Sequence, residues 1–240
     1  MLLIDGKLFE FKPLPMIYFG HKKPLAYVLN PKVASTLTLN FLFYLNRGYR
    51  YFDPTQIHHS SVALFSLNGT DLHPQMVRWF MELAPERFSI VRDPLKRFVS
   101  AFVQKVFLHA DPVYHTFCDE LTSLHGIDLS PEADPRQSCV AFAKWMAAQE
   151  DQEKIDLHFR PQHFNLAMGG RFTVDTILRI EDQDALTAYF SRWVSEEEAK
   201  WFLGLRLNEQ KRRKAEEFMS DELEALVRQI YARDYELFYS

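Results

Sequence analysis

The stretch from Leu25 to Leu45 constrains this chain more than any other. Leu25-Ala26-Tyr27-Val28-Leu29 gives way at once to Asn30-Pro31-Lys32, and from Thr36 to Leu45 apolar residues fall on every side of a helical wheel. A short continuous apolar run reads as a strand covered on both faces, and a helix that is apolar all round is buried in a large core. Buried strand, tight polar loop and buried helix together form the layout of an α/β nucleotide site.

The middle of the chain repeats the theme. Phe88-Ser89-Ile90-Val91 forms a second short buried strand that stops at Arg92-Asp93-Pro94. Beyond it, Leu95, Phe98, Val99, Phe102, Val103, Val106 and Phe107 keep the i, i+3, i+4, i+7 spacing of an amphipathic helix with Pro94 in its first turn. Residues 74–84 and 137–149 also read as helices, 126–136 as a loop, and Phe172 to Ile180 as a later strand. Leu186, Tyr189, Phe190 and Trp193 share one helical face, and Leu223, Leu226, Val227, Ile230 and Tyr231 share another. The charged run from Glu196 to Glu217 reads as exposed helix. The expectation is a P-loop-like three-layer α/β fold. It has a central, mostly parallel sheet flanked by helices, a helical C-terminal part, and a single domain over residues 1–240.

Composition narrows the function classes. With 47% hydrophobic residues, 21 Phe and 10 Tyr among 240, the chain has ample material for a core, which excludes disorder. A formal charge of −4 argues against a general nucleic-acid binder. Cys118 and Cys139 cannot supply a disulfide framework and lack zinc-ligand spacing, so reduced cysteines in or near the core are expected. No signal peptide or transmembrane run is visible, which points to a cytoplasmic protein.

The first site lies in Pro31-Lys32-Val33-Ala34-Ser35-Thr36-Leu37-Thr38. A helix N-terminus offers unpaired N–H groups and the positive end of a dipole, so it takes phosphate readily. Small Ala34 and Ser35 let the backbone close on an anion, hydroxyls of Ser35, Thr36 and Thr38 add donors, and Lys32 adds a full charge. The ATP-type loop, with two glycines and a lysine before its terminal Ser/Thr, is absent. The purely structural alternative has Ser35 capping a core helix and Lys32 solvated.

The second site runs through Arg92-Asp93-Pro94-Leu95-Lys96-Arg97-Phe98-Val99-Ser100-Ala101-Phe102. Arg92 leaves a strand at its carboxyl end, and Ser100 lies two turns along the helix at the edge of its apolar stripe. An arginine fork with a hydroxyl suits a terminal phosphate. Here the alternative is that Asp93 caps the helix and Arg92 pairs with it. Two phosphate-type sites after two strands imply a ligand with phosphates at both ends of its nucleoside.

These two motifs together resemble the carbohydrate sulfotransferase family that uses 3′-phosphoadenosine 5′-phosphosulfate (PAPS), of the family-2 type. Asp156-Leu157-His158-Phe159-Arg160-Pro161-Gln162 resembles the family's D-x-H-[FW]-x-P-Q segment, and Leu178-Arg179-Ile180-Glu181-Asp182 its R-x-E segment. Tyr231-Ala232-Arg233-Asp234-Tyr235-Glu236-Leu237-Phe238 resembles its closing Y-x-x-D-Y-x-L-F. The chain looks like a compact, soluble, bacterial-type member. The resemblance implies that Pro31, Lys32, Val33, Ala34, Ser35, Thr36 and Leu37 hold the 5′-phosphosulfate, and that Arg92 and Ser100 hold the 3′-phosphate. It also implies a hydroxylated acceptor, such as a saccharide or glycolipid.

Sulfuryl transfer from an activated donor needs positioning and charge stabilisation, with no metal. Lys32 suits the charge that grows on the leaving oxygen. A base for the acceptor hydroxyl is sought among His58, His59 and His158, with His59 placed first of the pair. Arg160 and Arg171 are further anion contacts to weigh, and Glu181 is a partner for Arg179. Two other classes compete: a nucleotide or nucleoside kinase, weakened by the missing glycines, and a non-catalytic nucleotide-binding module on the same fold.

Overall fold

The computed structural model describes residues 2–4, 7–9, 17–20, 25–53, 57, 65–67, 86–108, 112–166, 174–205 and 215–240. The helix expected at 74–84 lies outside them, as do His58, His59, Arg171 and the basic run 211–214.

An N-terminal hairpin joins β1 (Leu2–Ile4) to β2 (Lys7–Phe9). Strands β3 (Ile17–Gly20), β4 (Leu25–Val28), β5 (Phe65–Leu67), β6 (Glu86–Val91) and β7 (Thr176–Arg179) form a sheet in the order β5-β3-β4-β6-β7. β4 pairs in parallel with β6, and β6 with β7, while β3 runs antiparallel to both β4 and β5. Four strands therefore point one way and β3 alone runs against them.

Strand alternation sorts side chains onto the two faces of the sheet. Leu25, Tyr27, Phe88, Ile90 and Leu178 face one way and pack with α1 (Ser35–Arg47) and with helices Gln183–Phe190 and Glu196–Leu203. Ala26, Val28 and Val91 face the other way and meet Leu166 and Phe238. Helices on both faces make the three layers. Beside them, a further core is built by α2 (Pro94–Phe102), α3 (His115–His125), α4 (Pro135–Ala147) and the later helix Asp221–Ile230, around Phe98, Phe102, Phe142 and Phe159. Cys118 and Cys139 are both free and buried. Among the described residues no helix is long and apolar enough to cross a membrane.

Several boundaries differ from the periodicity for local reasons. α4 starts at Pro135 because the Asp134 carboxylate accepts from the N–H groups of Arg136 and Gln137, with proline at the first helical position. β7 starts at Thr176, and the preceding Asp175 turns its carboxylate to the Arg87 guanidinium at 2.8 Å. The stripe from Leu223 to Tyr231 ends its helix at Ile230, and a separate helix, Ala232–Phe238, follows. Glu196–Leu203 is helical under a Ser195/Glu198 capping box, but 206–214 falls outside the described residues. Most relevant to the site, α2 stops at Phe102 and continues as a π-helical turn, Val103–Phe107. Such wide turns often re-aim side chains at functional sites.

Candidate active site

The loop between β4 and α1 is held from behind. Asn30 is fully buried, and its amide donates to the carbonyl of Ile90 at 3.1 Å and to Gln162 Oε1 at 2.8 Å. The loop then turns through two left-handed residues, Lys32 (φ 69°) and Ala34 (φ 64°). Left-handed residues alternating along a loop gather successive N–H groups into an anion-binding nest. A glycine would take such positions without strain, and here Lys32 and Ala34 take them instead. Ala34, not Ser35, is the N-cap of α1, and alanine has no side-chain acceptor for the first-turn N–H groups. No acidic residue sits in that first turn either, so the positive end of the helix dipole is left for a ligand.

Positive side chains lie close to this nest. Lys32 Nζ donates to Gln104 Oε1, a residue presented by the π turn. Burial pulls the Lys32 ammonium down to a pKa of about 7, and the charges of Arg92, Lys105 and Arg97 lower it further. Arg92 Nη1 donates to the Lys32 carbonyl at 3.2 Å. Asp93 does cap α2, through the N–H of Lys96 at 2.9 Å, while the Arg92 guanidinium turns to the loop. Ser100 stays half-buried on α2.

Arg97 escaped the sequence reading. It is 1% exposed and donates to three backbone carbonyls: Pro31 at 3.0 Å, Arg160 at 2.9 Å and Leu157 at 3.0 Å. One guanidinium thus ties the loop to the 156–162 segment. The sequence did contain a signal. Pro94, Arg97, Phe98 and Ala101 follow i, i+3, i+4, i+7 and all are buried, so Arg97 sits on the buried stripe, where a charge needs a purpose.

The 156–162 segment brings His158 to the same place. Its Nδ1 lies 2.9 Å from Asp156 Oδ1 and 2.9 Å from the Tyr114 hydroxyl, which also donates to Asp156 Oδ2 at 3.0 Å. Burial depresses the His158 pKa below 6.5. The Asp156 partner opposes that, and the charges of Lys105 and Lys32 reinforce it. The imidazole is therefore neutral at neutral pH, with Nε2 outside the Asp156–Tyr114 pairing. Arg160 is spent locally, on Asn165 Oδ1 at 2.8 Å and the Glu153 carbonyl at 3.2 Å.

The site's geometry can be set beside known proteins. The model of the sulfotransferase family matches residues 15–240, nearly the whole chain. The chain belongs to the sulfotransferase family. No curated protein and no solved structure matches it. The enzyme's remaining motifs turn out to be the joints of the site. Gln162 takes Asn30 and the Arg92 N–H on its Oε1 and returns its amide to the Arg92 carbonyl at 2.8 Å. Asp234, fully buried, accepts from the N–H groups of Gln162 at 2.6 Å and His163 at 3.0 Å, and from His163 Nδ1 at 2.7 Å. The Tyr231 hydroxyl donates to the Phe159 carbonyl. Glu181 accepts from the Asp93 N–H at 2.9 Å and the Tyr239 hydroxyl at 3.0 Å, while Arg179 lies over the Tyr239 ring. In this sulfotransferase, motifs as far apart in sequence as Asn30 and Asp234 therefore converge on the segments that carry Lys32, Arg92 and His158.

Proposed function

We propose that this sulfotransferase takes its sulfuryl group from PAPS and delivers it to a hydroxyl of a saccharide or other small hydroxylated acceptor, releasing 3′,5′-ADP. The observation that carries the reading is the nest at 31–34. It is an uncapped helix start with two strained left-handed residues, bearing Lys32 and backed by Arg92 and Arg97 through the carbonyls of Lys32 and Pro31. Such a cluster is costly when empty and is relieved by a polyanion.

In the proposed reaction, the acceptor oxygen attacks sulfur, the S–O bond to the 5′-phosphate breaks, and the acceptor proton moves to His158 Nε2. Lys32 answers the negative charge growing on the leaving phosphate oxygen, where preorganised charge acts most strongly. Asp156 and Tyr114 hold the imidazole through Nδ1, which fixes the tautomer that leaves Nε2 basic. Ser100 joins Arg92 at the 3′-phosphate in this reading. His58 and His59 are the competing bases.

Calorimetry with 3′,5′-ADP against ATP–Mg tests the donor class, and turnover with labelled PAPS tests the chemistry. Tight 3′,5′-ADP binding with weak ATP–Mg binding is expected. Equal affinity for the two would overturn the donor assignment. Near-normal turnover in His158→Gln with loss in His59→Ala or His58→Ala would move the base to the 58–59 pair.

A further inference from the structure

Next to the reaction centre lies a groove of about 580 Å³ that the mechanism does not use. Phe142, Met146 and Phe159 are buried at its floor, and the half-buried Phe117 and Trp145 form its aromatic side. Trp145 stacks on Phe142 with ring centres 5.5 Å apart and meets Phe117 edge-on at 5.6 Å. The rim is acidic, with Glu150, Asp151 and Asp156, and Lys154, the one lysine among its described lining residues, pairs with Asp151 at 3.1 Å. Asp156 belongs to both places: it lines the groove and orients His158.

We propose that this groove seats a non-reacting sugar unit of an uncharged saccharide acceptor. A flat aromatic side takes the C–H face of a pyranose ring, and the rim carboxylates and Gln149 offer acceptors for its hydroxyls. Charge selects among saccharides. A uronate or sulfated sugar meets Glu150, Asp151 and Asp156 at close range. An amine-bearing sugar that reaches the reacting end meets the charges of Lys32 and Lys105, both of which are felt at His158. A neutral chain pays neither penalty. Naming the occupant as the acceptor rests on the sulfuryl-transfer reading; binding of the saccharide in the groove does not.

The test is saturation-transfer NMR on the full chain without donor. The neutral probes are cellotriose, maltotriose and triacetylchitotriose, and the anionic probe is trigalacturonate. At least one neutral probe should receive saturation on one ring face, and trigalacturonate should receive far less. Trp145→Ala should weaken the neutral probe by about three- to tenfold, the worth of one aromatic stack. The double variant Glu150→Gln/Asp151→Asn, at exposed positions, should strengthen trigalacturonate by about threefold or more and weaken the neutral probe by less than Trp145→Ala does, since each amide keeps a carbonyl acceptor. It serves as the arm that does not depend on refolding a core position. Saturation of no neutral probe, equal or stronger saturation of trigalacturonate, or neutral binding indifferent to Trp145→Ala would each overturn the proposal. Groove binding in a chain that never turns over labelled PAPS would sink the donor reading and leave the saccharide site standing. Turnover without groove binding would do the reverse.

Discussion

Lys32 should take up a proton when the donor site fills. In the empty site its pKa falls from 10.5 to about 7, through burial and the neighbouring Arg92, Lys105 and Arg97. At about 1.4 kcal/mol per pH unit, the charged ammonium then costs the empty protein on the order of 2–4 kcal/mol, after allowance for solvent around a half-buried group. A nucleotide polyanion reverses the sign of that environment and restores the charged form. At pH 8, about 0.9 of the lysine is neutral when empty, so binding should take up close to one proton. Phosphate monoesters are already ionised at that pH, so the ligand contributes little of its own.

The assay is calorimetric titration with 3′,5′-ADP at pH 8 in buffers of different ionisation enthalpy. The slope of observed heat against buffer enthalpy counts the protons. The same linkage makes affinity fall by up to about tenfold per pH unit above 7. It also sets the stability of the empty protein. The folded pKa lies below the unfolded one, so between about pH 7 and 10.5 the unfolded chain binds more protons. This contribution therefore grows as pH rises. Lys32→Met should remove the proton uptake and stabilise the empty protein near pH 7 by about 1–3 kcal/mol. A slope of zero in the wild type, or an undiminished slope in Lys32→Met, would refute the reasoning.

Arg92→Ala should weaken 3′-phosphorylated nucleotides by about 2–5 kcal/mol and 5′-AMP by clearly less, through the freed Lys32 carbonyl alone, measured by calorimetry; equal weakening would make Arg92 a scaffold residue. Arg97→Met leaves the carbonyls of Pro31 and Arg160 without their arginine donor and leaves that of Leu157 with Asn165 alone, so thermal unfolding should show a loss of about 3–5 kcal/mol. His158→Gln should cut turnover by about 10²–10⁴-fold with nucleotide binding intact. Because burial holds the His158 pKa below 6.5 and Asp156 opposes it, the acid limb of the rate profile should lie below pH 6.5 and move further down in Asp156→Asn. A limb unmoved by Asp156→Asn would break the link between the two residues.

The parts of this enzyme legible in sequence are those whose signal is local. The β4–loop–α1 unit reads directly because its burial is continuous along the chain, and β6 reads for the same reason. The core of the site was less visible because its bonds are long-range. Gln162 and Asp234 stood in the sequence only as members of family-like segments and Asn30 only as a loop residue; they become a chain of buried hydrogen bonds once β4, the 162–165 turn and the C-terminal helix meet. Asp234 left a trace of the same kind as Arg97. Tyr231, Asp234 and Phe238 are buried and recur at helical spacing, so a carboxylate lies on an apolar stripe. The π turn left none, since Val103, Val106 and Phe107 satisfy α-helical spacing equally well, and it is this turn that presents Gln104 to Lys32.

The arginines also explain how a loop without glycine keeps its shape. Each left-handed residue costs about 1–2 kcal/mol, and Lys32 and Ala34 both bear it. Arg97 holds the carbonyl of Pro31 and Arg92 holds the carbonyl of Lys32. A trans peptide is planar with its N–H opposite its C=O, and no peptide among the described residues is cis. With those carbonyls fixed toward the arginines, the N–H groups of Lys32 and Val33 must point away from them, as do anion-binding donors at a helix start. Arg92 therefore stands behind the loop, and an anion held by the loop would lie on the opposite side of the peptide planes from its guanidinium. That separation supports the proposed donor, with one anionic group on the loop and a second at Arg92, spaced by a nucleoside. A ligand whose phosphates run consecutively from one end of the nucleoside would place its charge on one side only and leave the other cation unanswered.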